Sequence, residues 1–292
     1  MTVYLDFLKM NGLGNDYLFL DYLDTPVPDL DWRELALWVS DRHTGVGSDG
    51  LILILPPPEG SEAHAAMRMF NSDGSEGEMC GNGVRCLAWY TQRRGRGDGP
   101  EVRVSTPGGP ITARVGTAAE EVEVDMGRPV FDSPDLPPTE GDRILLDTAG
   151  GSLEFWPVSM GNPHAVCLDP LPPGVDWRAL GREVELDPAF PRRTNVEFAT
   201  VRGENHLEVR VWERGSGATR ACGTGAAASL VAAHSRGLVG EWARITLPGG
   251  DLHGTVDPEA GVKLTGPVQL SFVGRLAWPP DSDKLIGGAG FD

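Results

Sequence analysis

Two stretches of the chain alternate apolar and polar side chains with a period of two, Ala66-Met67-Arg68-Met69-Phe70 and Val209-Arg210-Val211-Trp212. That period predicts strands, because successive side chains of an extended backbone point to opposite faces. A polar, Gly-containing turn follows each one. Then come Cys80-Gly81-Asn82-Gly83 in the first case and Cys222-Gly223-Thr224-Gly225 in the second. The apolar, Ala-containing stretches 84–92 and 226–236 suit helices, each starting at its Cys. A strand, a Pro-Gly-Gly turn and another strand close each unit. Each unit is therefore mostly strands around one principal helix.

The two units are copies of one pattern. Residues 65–83, AAMRMFNSDGSEGEMCGNG, align without a gap on 207–225, LEVRVWERGSGATRACGTG, at an offset of 142. RVSTPGGPITARV at 103–115 matches RITLPGGDLHGTV at 244–256, and LGNDYLFLD at 13–21 matches MGNPHAVCLD at 160–169. Three matched segments in one order, at offsets of 141–147, indicate two structurally equivalent halves. The spacing is too long for a solenoid, whose repeats run to roughly 20–50 residues. The division is expected at residues 1–122, carrying Cys80, and 123–268, carrying Cys222. The tail KLIGGAGFD at 284–292 reads as disordered.

Length and charge narrow the function. A chain of 292 residues is about two domains, and 40% apolar with 23% charged residues is a soluble globular composition. The 42 acidic against 25 basic residues give a formal charge of −17, which repels phosphate backbones and argues against a nucleic-acid partner. Only Lys9, Lys263 and Lys284 could form a Schiff base. No apolar run approaches the roughly 18 residues that cross a bilayer, and the first residues lack a secretory pattern. The four cysteines, Cys80, Cys86, Cys167 and Cys222, have no Cys-x-x-Cys zinc spacing and are too sparse for a disulfide scaffold. A reducing cytoplasm and free thiols are expected.

A thiol at a helix N-terminus sits beside unsatisfied N–H groups and the positive end of the helix dipole, which favour thiolate. Two such thiols, related by a pseudo-twofold, would face each other across a cleft. That arrangement suits removal of a proton from one face of a carbon and its return from the other. General acid–base catalysis contributes only about 10²–10⁴-fold, so the carbanion's charge must be stabilised where it flows into the substrate carboxylate. Helix N-termini aimed there are each worth about 2.7–4 kcal/mol if they act as an oxyanion hole does. No electron-sink cofactor and no metal are then required. The bland alternative, that Cys80 and Cys222 are small buried hydrophobes, leaves their matched Cys-Gly-x-Gly setting unexplained. Cys86 and Cys167, which lack such a setting, read as structural.

Longer motifs make the pattern specific: KMNGLGNDY at 9–17, RHTGVGSDG at 42–50, FNSDGSEGEMCGNGVRC at 70–86, MGNPHAV at 160–166, RTNVEF at 193–198 and VWERGSGATRACGTGAAA at 211–228. Through nearly its whole length the sequence resembles the diaminopimelate epimerase family, cofactor-independent enzymes of lysine and peptidoglycan precursor synthesis. The resemblance implies a mixed α/β fold of two similar halves, each a curled mixed sheet around a central helix. It also implies a C-terminal segment, 269–292, that returns to the first half, and a homodimer. It places the catalytic pair on Cys80 and Cys222. Substrate contacts fall on Asn15, Asn71, Asn162, Asn195, Glu213 and Arg214, and on the backbone at Gly81, Asn82, Gly223 and Thr224. His164 is a supporting residue. The acidic Asp73, Glu76 and Glu78 match no cation site of the family.

Alignment of the repeats shows where the symmetry breaks. Glu213 stands opposite Asn71 and Arg214 opposite Ser72. A symmetric cleft would treat both amino-acid ends of a diamino diacid alike, so these mismatches are expected to hold the end that does not react. The sequence also departs from many relatives, with Asn11 in place of His and Gly50 in place of Gln; the missing Gln side chain could alter a substrate contact. Three other functions stay open on sequence: a sister amino-acid racemase, a Cys-His hydrolase forming an acyl-enzyme, and a binding protein without catalysis.

Overall fold

The computed structural model describes residues 2–116, 121–139, 142–257 and 259–280, so the tail at 284–292 lies outside the described residues. In the first half, β1 (Val3–Gly12) and β2 (Asn15–Asp21) form a hairpin. Helix α1 (Trp32–Ser40) crosses to β3 (Gly50–Leu55), parallel to β2, and β4 (Ala65–Asn71) returns antiparallel. After the short β5 (Glu76–Gly77), α2 (Gly81–Arg93) crosses to β6 (Glu101–Thr106), parallel to β4. Strands β7 (Gly109–Val115) and β8 (Glu121–Gly127) extend it as a meander.

The second half repeats that path. Strands β9 (Ile144–Thr148), β10 (Gly151–Ser159) and β11 (Pro163–Cys167) run antiparallel in turn, and α3 (Trp177–Glu185) crosses to β12 (Asn195–Gly203), parallel to β11. Then come β13 (His206–Glu213), β14 (Gly217–Thr219), α4 (Gly223–Ser235) and β15 (Trp242–Leu247), parallel to β13. Strands β16 (Gly250–Asp257) and β17 (Gly261–Pro267) follow, and β18 (Gln269–Trp278) goes back to pair with β1. The halves join where β8 meets β17 antiparallel, at Val124 and Leu264. The result is one mixed sheet of 18 strands in a mixed α/β fold.

Helices α2 and α4 each pack against strands of their own half on several sides, which is the expected central position. Helix α4 accordingly carries small apolar side chains all round, with Ala226, Ala227, Ala228, Ala232 and Ala233 buried. Their packing belongs to a core shared by both halves. Helices α1 and α3, which the periodicity did not single out, cover the outer faces of the two sheets over separate apolar clusters. Both are capped by aspartates: Asp31 accepts from Arg33 N and Glu34 N, and Asp176 from Arg178 N. No helix among the described residues is long and apolar enough to cross a membrane.

Candidate active site

Each cysteine is the N-cap of its helix rather than its first residue, and the helices begin at Gly81 and Gly223, earlier than the apolar runs alone indicate. The two caps have nearly the same backbone, φ −135° and ψ 117° at Cys80 against φ −127° and ψ 118° at Cys222. The helices point their N-termini at one another. A Cβ placed on either Gly81 or Gly223 would lie 3.7–3.8 Å from the other's Cα, with Met126 Cε at 3.6–3.7 Å from both. A Cβ at either position would be in ordinary van der Waals contact with the facing helix end.

Ladder register fixes which residues are equivalent around the two thiols. Tyr17 pairs with Gly50 and Gly50 with Asn71 in the first half. In the second, His164 pairs with Asn195, and β12 runs against β13 in the register Val196 to Trp212. Tyr17 therefore corresponds to His164, Ile52 to Glu197 and Asn71 to Glu213. The helix glycines agree: a Cβ on Gly83 would fall 2.6 Å from Ile52 Cδ1, and one on Gly225 2.7 Å from Glu197 Oε1.

Around Cys80 the hydrogen-bond partners are neutral. Its Sγ accepts from Gly83 N at 3.5 Å and donates to Asn15 Oδ1 at 3.5 Å. Burial pushes the thiol above its ordinary value, hydrogen bonds from Tyr17 and the Gly83 amide oppose the rise, and the Glu213 carboxylate adds to it. Asn15 also accepts from Asn82 Nδ2 at 3.0 Å and donates to Asp49 Oδ2 at 2.8 Å. Asp49 is held in turn by Arg42 at 2.9 Å, and Arg42 bonds Asp16 at 2.7 Å. Burial works against the Asp16 charge, but Arg42 and Lys9 hold its carboxyl below the ordinary value. The KMNGLGNDY and RHTGVGSDG motifs thus meet in one ionic network behind Asn15, a role the sequence reading did not assign.

Around Cys222 the neighbours are charged. His164, fully buried, sits between Glu197 Oε1 at 2.7 Å and Asn162 Oδ1 at 2.9 Å. Asn162 Nδ2 donates to Thr224 Oγ1 at 3.5 Å, and Thr224 Oγ1 lies 3.5 Å from Cys222 Sγ. Hydrogen bonds from Thr224 and the Gly225 amide favour the Cys222 thiolate, as the Gly83 amide does for Cys80. Burial and then the Glu213 carboxylate push Cys222 well above the ordinary thiol value, with Glu197 adding to the rise. Burial also raises the Glu213 carboxyl.

The structure brings Cys80, Asn15, Asn82, Gly81, Gly223, Cys222, Thr224, Asn162, His164 and Glu213 together at the facing helix ends. Three other sequence candidates are tied elsewhere. Asn71 Nδ2 donates to Ser75 Oγ at 3.0 Å. Asn195 Nδ2 donates to Pro163 O at 2.9 Å, and its Oδ1 accepts from Arg214 N at 3.0 Å. Arg214 Nη1 donates to Arg192 O at 3.1 Å and is otherwise exposed. Asn11 closes the turn after β1 by accepting from Gly14 N at 3.1 Å. At Gly50 a Cβ would fall 2.9 Å from Tyr17 Cε1 and against the Phe70 carbonyl, so no longer side chain fits there as β3 stands. Cys86 and Cys167 are buried in apolar surroundings that push their thiols up to about 12 and about 11.

The profile of the family described as Diaminopimelate epimerase matches residues 7–131 and 156–271, one block in each half. The diaminopimelate epimerase of Desulfitobacterium hafniense is 42% identical over 280 residues, covering 93% of this chain and 98% of that one. That of Halothermothrix orenii is 40% identical over 281 residues, with 93% and 98% covered. Among solved structures, a probable proline racemase from Agrobacterium radiobacter superposes with a TM-score of 0.65 at 16% identity, covering 96% of this chain and 95% of that one, a likeness of fold. With its profile matched in both halves and its relatives aligned almost end to end, the chain belongs to the diaminopimelate epimerase family.

Proposed function

We propose that the chain interconverts LL- and meso-2,6-diaminopimelate by moving a proton across one Cα between Cys80 and Cys222, without an electron-sink cofactor. The observation that carries this reading is the pair of cysteine N-caps on helices that abut at Gly81 and Gly223. One sulfur, as thiolate, takes the Cα proton, and the other, as thiol, returns one from the opposite face. Electron density released by the broken C–H bond moves into the reacting carboxylate. Backbone amides at Gly81, Asn82, Gly223 and Thr224 are the donors that receive it, because the first turn of a helix leaves them without internal acceptors. The broken symmetry at Asn71 and Glu213, and at Ser72 and Arg214, serves the distal end. A guanidinium grips a carboxylate with two parallel bonds, and a carboxylate pairs with an ammonium.

Purified, reduced protein incubated with LL-diaminopimelate and no added cofactor is expected to give meso product. Cys80→Ala and Cys222→Ala should each abolish it while remaining folded. A near-normal rate in either variant overturns the two-thiol scheme.

The same reading includes a homodimer. Among the described residues, β18 pairs only with β1, and its outer end carries Leu270, Phe272 and Val273, with Phe272 48% and Val273 66% exposed. Apolar side chains in a row on an unpaired sheet edge are a surface that a second copy covers. Sedimentation should show a dimer that Phe272→Glu weakens; a monomeric wild-type chain contradicts it.

A further inference from the structure

Among the described residues, a buried ion outside the reaction scheme stands without a counter-charge. Arg85, on the second turn of α2, is 1% exposed, yet among the described residues it makes no salt bridge, and its Nε has no partner. Guanidinium stays protonated in proteins, and an unpaired buried charge is among the costliest groups to keep in a core. The fold does not need it for packing a helix into a curled sheet. The equivalent position in the other half is Ala227, buried in α4 against the corresponding strands.

The space around Arg85 is cut to fit it. A Cβ on Gly12, at the end of β1, would lie 2.8 Å from Nη2, and one on Gly266, in β17, 3.3 Å from Cζ. In that cradle Nη2 donates to Asn82 Oδ1 at 2.6 Å. A primary amide can turn over and exchange its oxygen for its nitrogen, but only the oxygen can face a guanidinium. Arg85 therefore fixes Asn82 with Nδ2 pointing the other way, where it donates to Asn15 Oδ1 at 3.0 Å and Ala221 O at 3.1 Å. Asn15 is the partner of Cys80, and Ala221 is the residue directly before Cys222. One amide thus ties the neighbour of one thiol to the backbone that delivers the other.

We propose that Arg85 is a positioning residue for the epimerisation, acting through the Asn82 side chain to hold Cys80 and Cys222 in mutual register. Displacing a reacting group by about 1 Å costs about 100-fold in rate. Arg85→Met, which keeps the stem and removes the donor, should lower kcat by about that factor. KM should change by less than about threefold, because the contact acts on the chemical step. The decisive readout is a double-mutant cycle with Asn82→Ala. If Arg85 works through that amide, the double variant is no slower than Asn82→Ala alone to within about twofold, whereas an independent packing role multiplies the two losses.

A kcat for Arg85→Met within about twofold of wild type, or multiplying losses in the double variant, overturns the proposal. If Arg85→Met does not fold, Arg85→Lys is measured with and without Asn82→Ala. A fall in the first background and none in the second is expected; equal falls overturn the proposal. The inference rests on the two-thiol reading, and the two fail separately. Inversion that survives Cys80→Ala or Cys222→Ala removes the reading, whereas a wild-type rate in Arg85→Met removes only the inference.

Discussion

The surroundings of Cys80 and Cys222 share backbone, register and helix, and differ in charge. Where the first half places Tyr17, Ile52 and Asn71, the second places His164, Glu197 and Glu213. Behind Asn82 the first half buries a cation, Arg85, where the second has Ala227. A duplicated scaffold supplies two equivalent helix ends. Substitutions on the neighbouring strands then set fixed charges of opposite sign behind them. Burial and the Glu213 carboxylate raise both thiols; Glu197 adds to the rise at Cys222, and Tyr17 opposes it at Cys80. The two halves are alike where proton transfer needs symmetry and unlike where one end of a substrate must be told from the other.

Substitutions that copy one half into the other test this comparison. The largest effect is expected from Arg214→Ser and Glu213→Asn, which install the first-half residues. Charge-assisted hydrogen bonds contribute about 1.5–3 kcal/mol each, so each variant should lower kcat/KM for diaminopimelate by about 10–100-fold. Arg214→Ser should act mainly on KM. Unchanged kinetics in both would show that the mismatch does not read the distal end.

A smaller effect is expected from Glu197→Gln, which keeps an acceptor for His164 and removes one negative charge near Cys222. One pKa unit is about 1.4 kcal/mol, and a change of that order should raise the alkylation rate of Cys222 about tenfold at neutral pH. An unchanged rate would mean that the carboxylate does not act on the thiol. In the unsubstituted protein, iodoacetamide should label Cys80 ahead of Cys222, since Cys80 is the more accessible thiol. The sign of the pH dependence follows: raised thiol values leave little thiolate at neutral pH, so labelling of both should climb as pH rises, Cys80 first. Cys222 labelling first would reverse the ordering.

The smallest effect is expected from Asp49→Asn. It keeps a side chain that can accept from Asn15 while weakening the pairing with Arg42, which is exposed on one side. Exposed pairs are worth about 0–1 kcal/mol, so the melting temperature should move little.

Much of this was legible in the sequence, for physical reasons that also explain the gaps. The alternation at Met67-Arg68-Met69 and Val209-Arg210-Val211 marks half-buried strands, and the Cys-Gly-x-Gly elements mark the helix starts beside them. The gap-free alignment from 65 to 83 then exposed Asn71 against Glu213. Strand β3 is buried on both faces from Leu51 to Ile54, so it has no alternation to read. Its counterpart hides Glu197 in a run that looks like an ordinary half-exposed strand. The signal that finds it is the weaker repeat at 13–21 and 160–169, which sets Tyr17 against His164 at an offset of 147. Arg85 was not legible as a buried ion, because an arginine on an amphipathic helix is normally a solvated one. Only the glycines at 12 and 266, far apart in sequence, make room for it.

The central claim is that two thiols act on one carbon of a substrate held at its other end by the mismatched residues. The most direct test is incubation of reduced protein with LL-diaminopimelate in D₂O, followed by measurement of deuterium at each Cα. The account predicts meso product with label at the inverted carbon only. In meso product sampled before it reverts to LL-diaminopimelate, label at both carbons, or inversion without label, would contradict it.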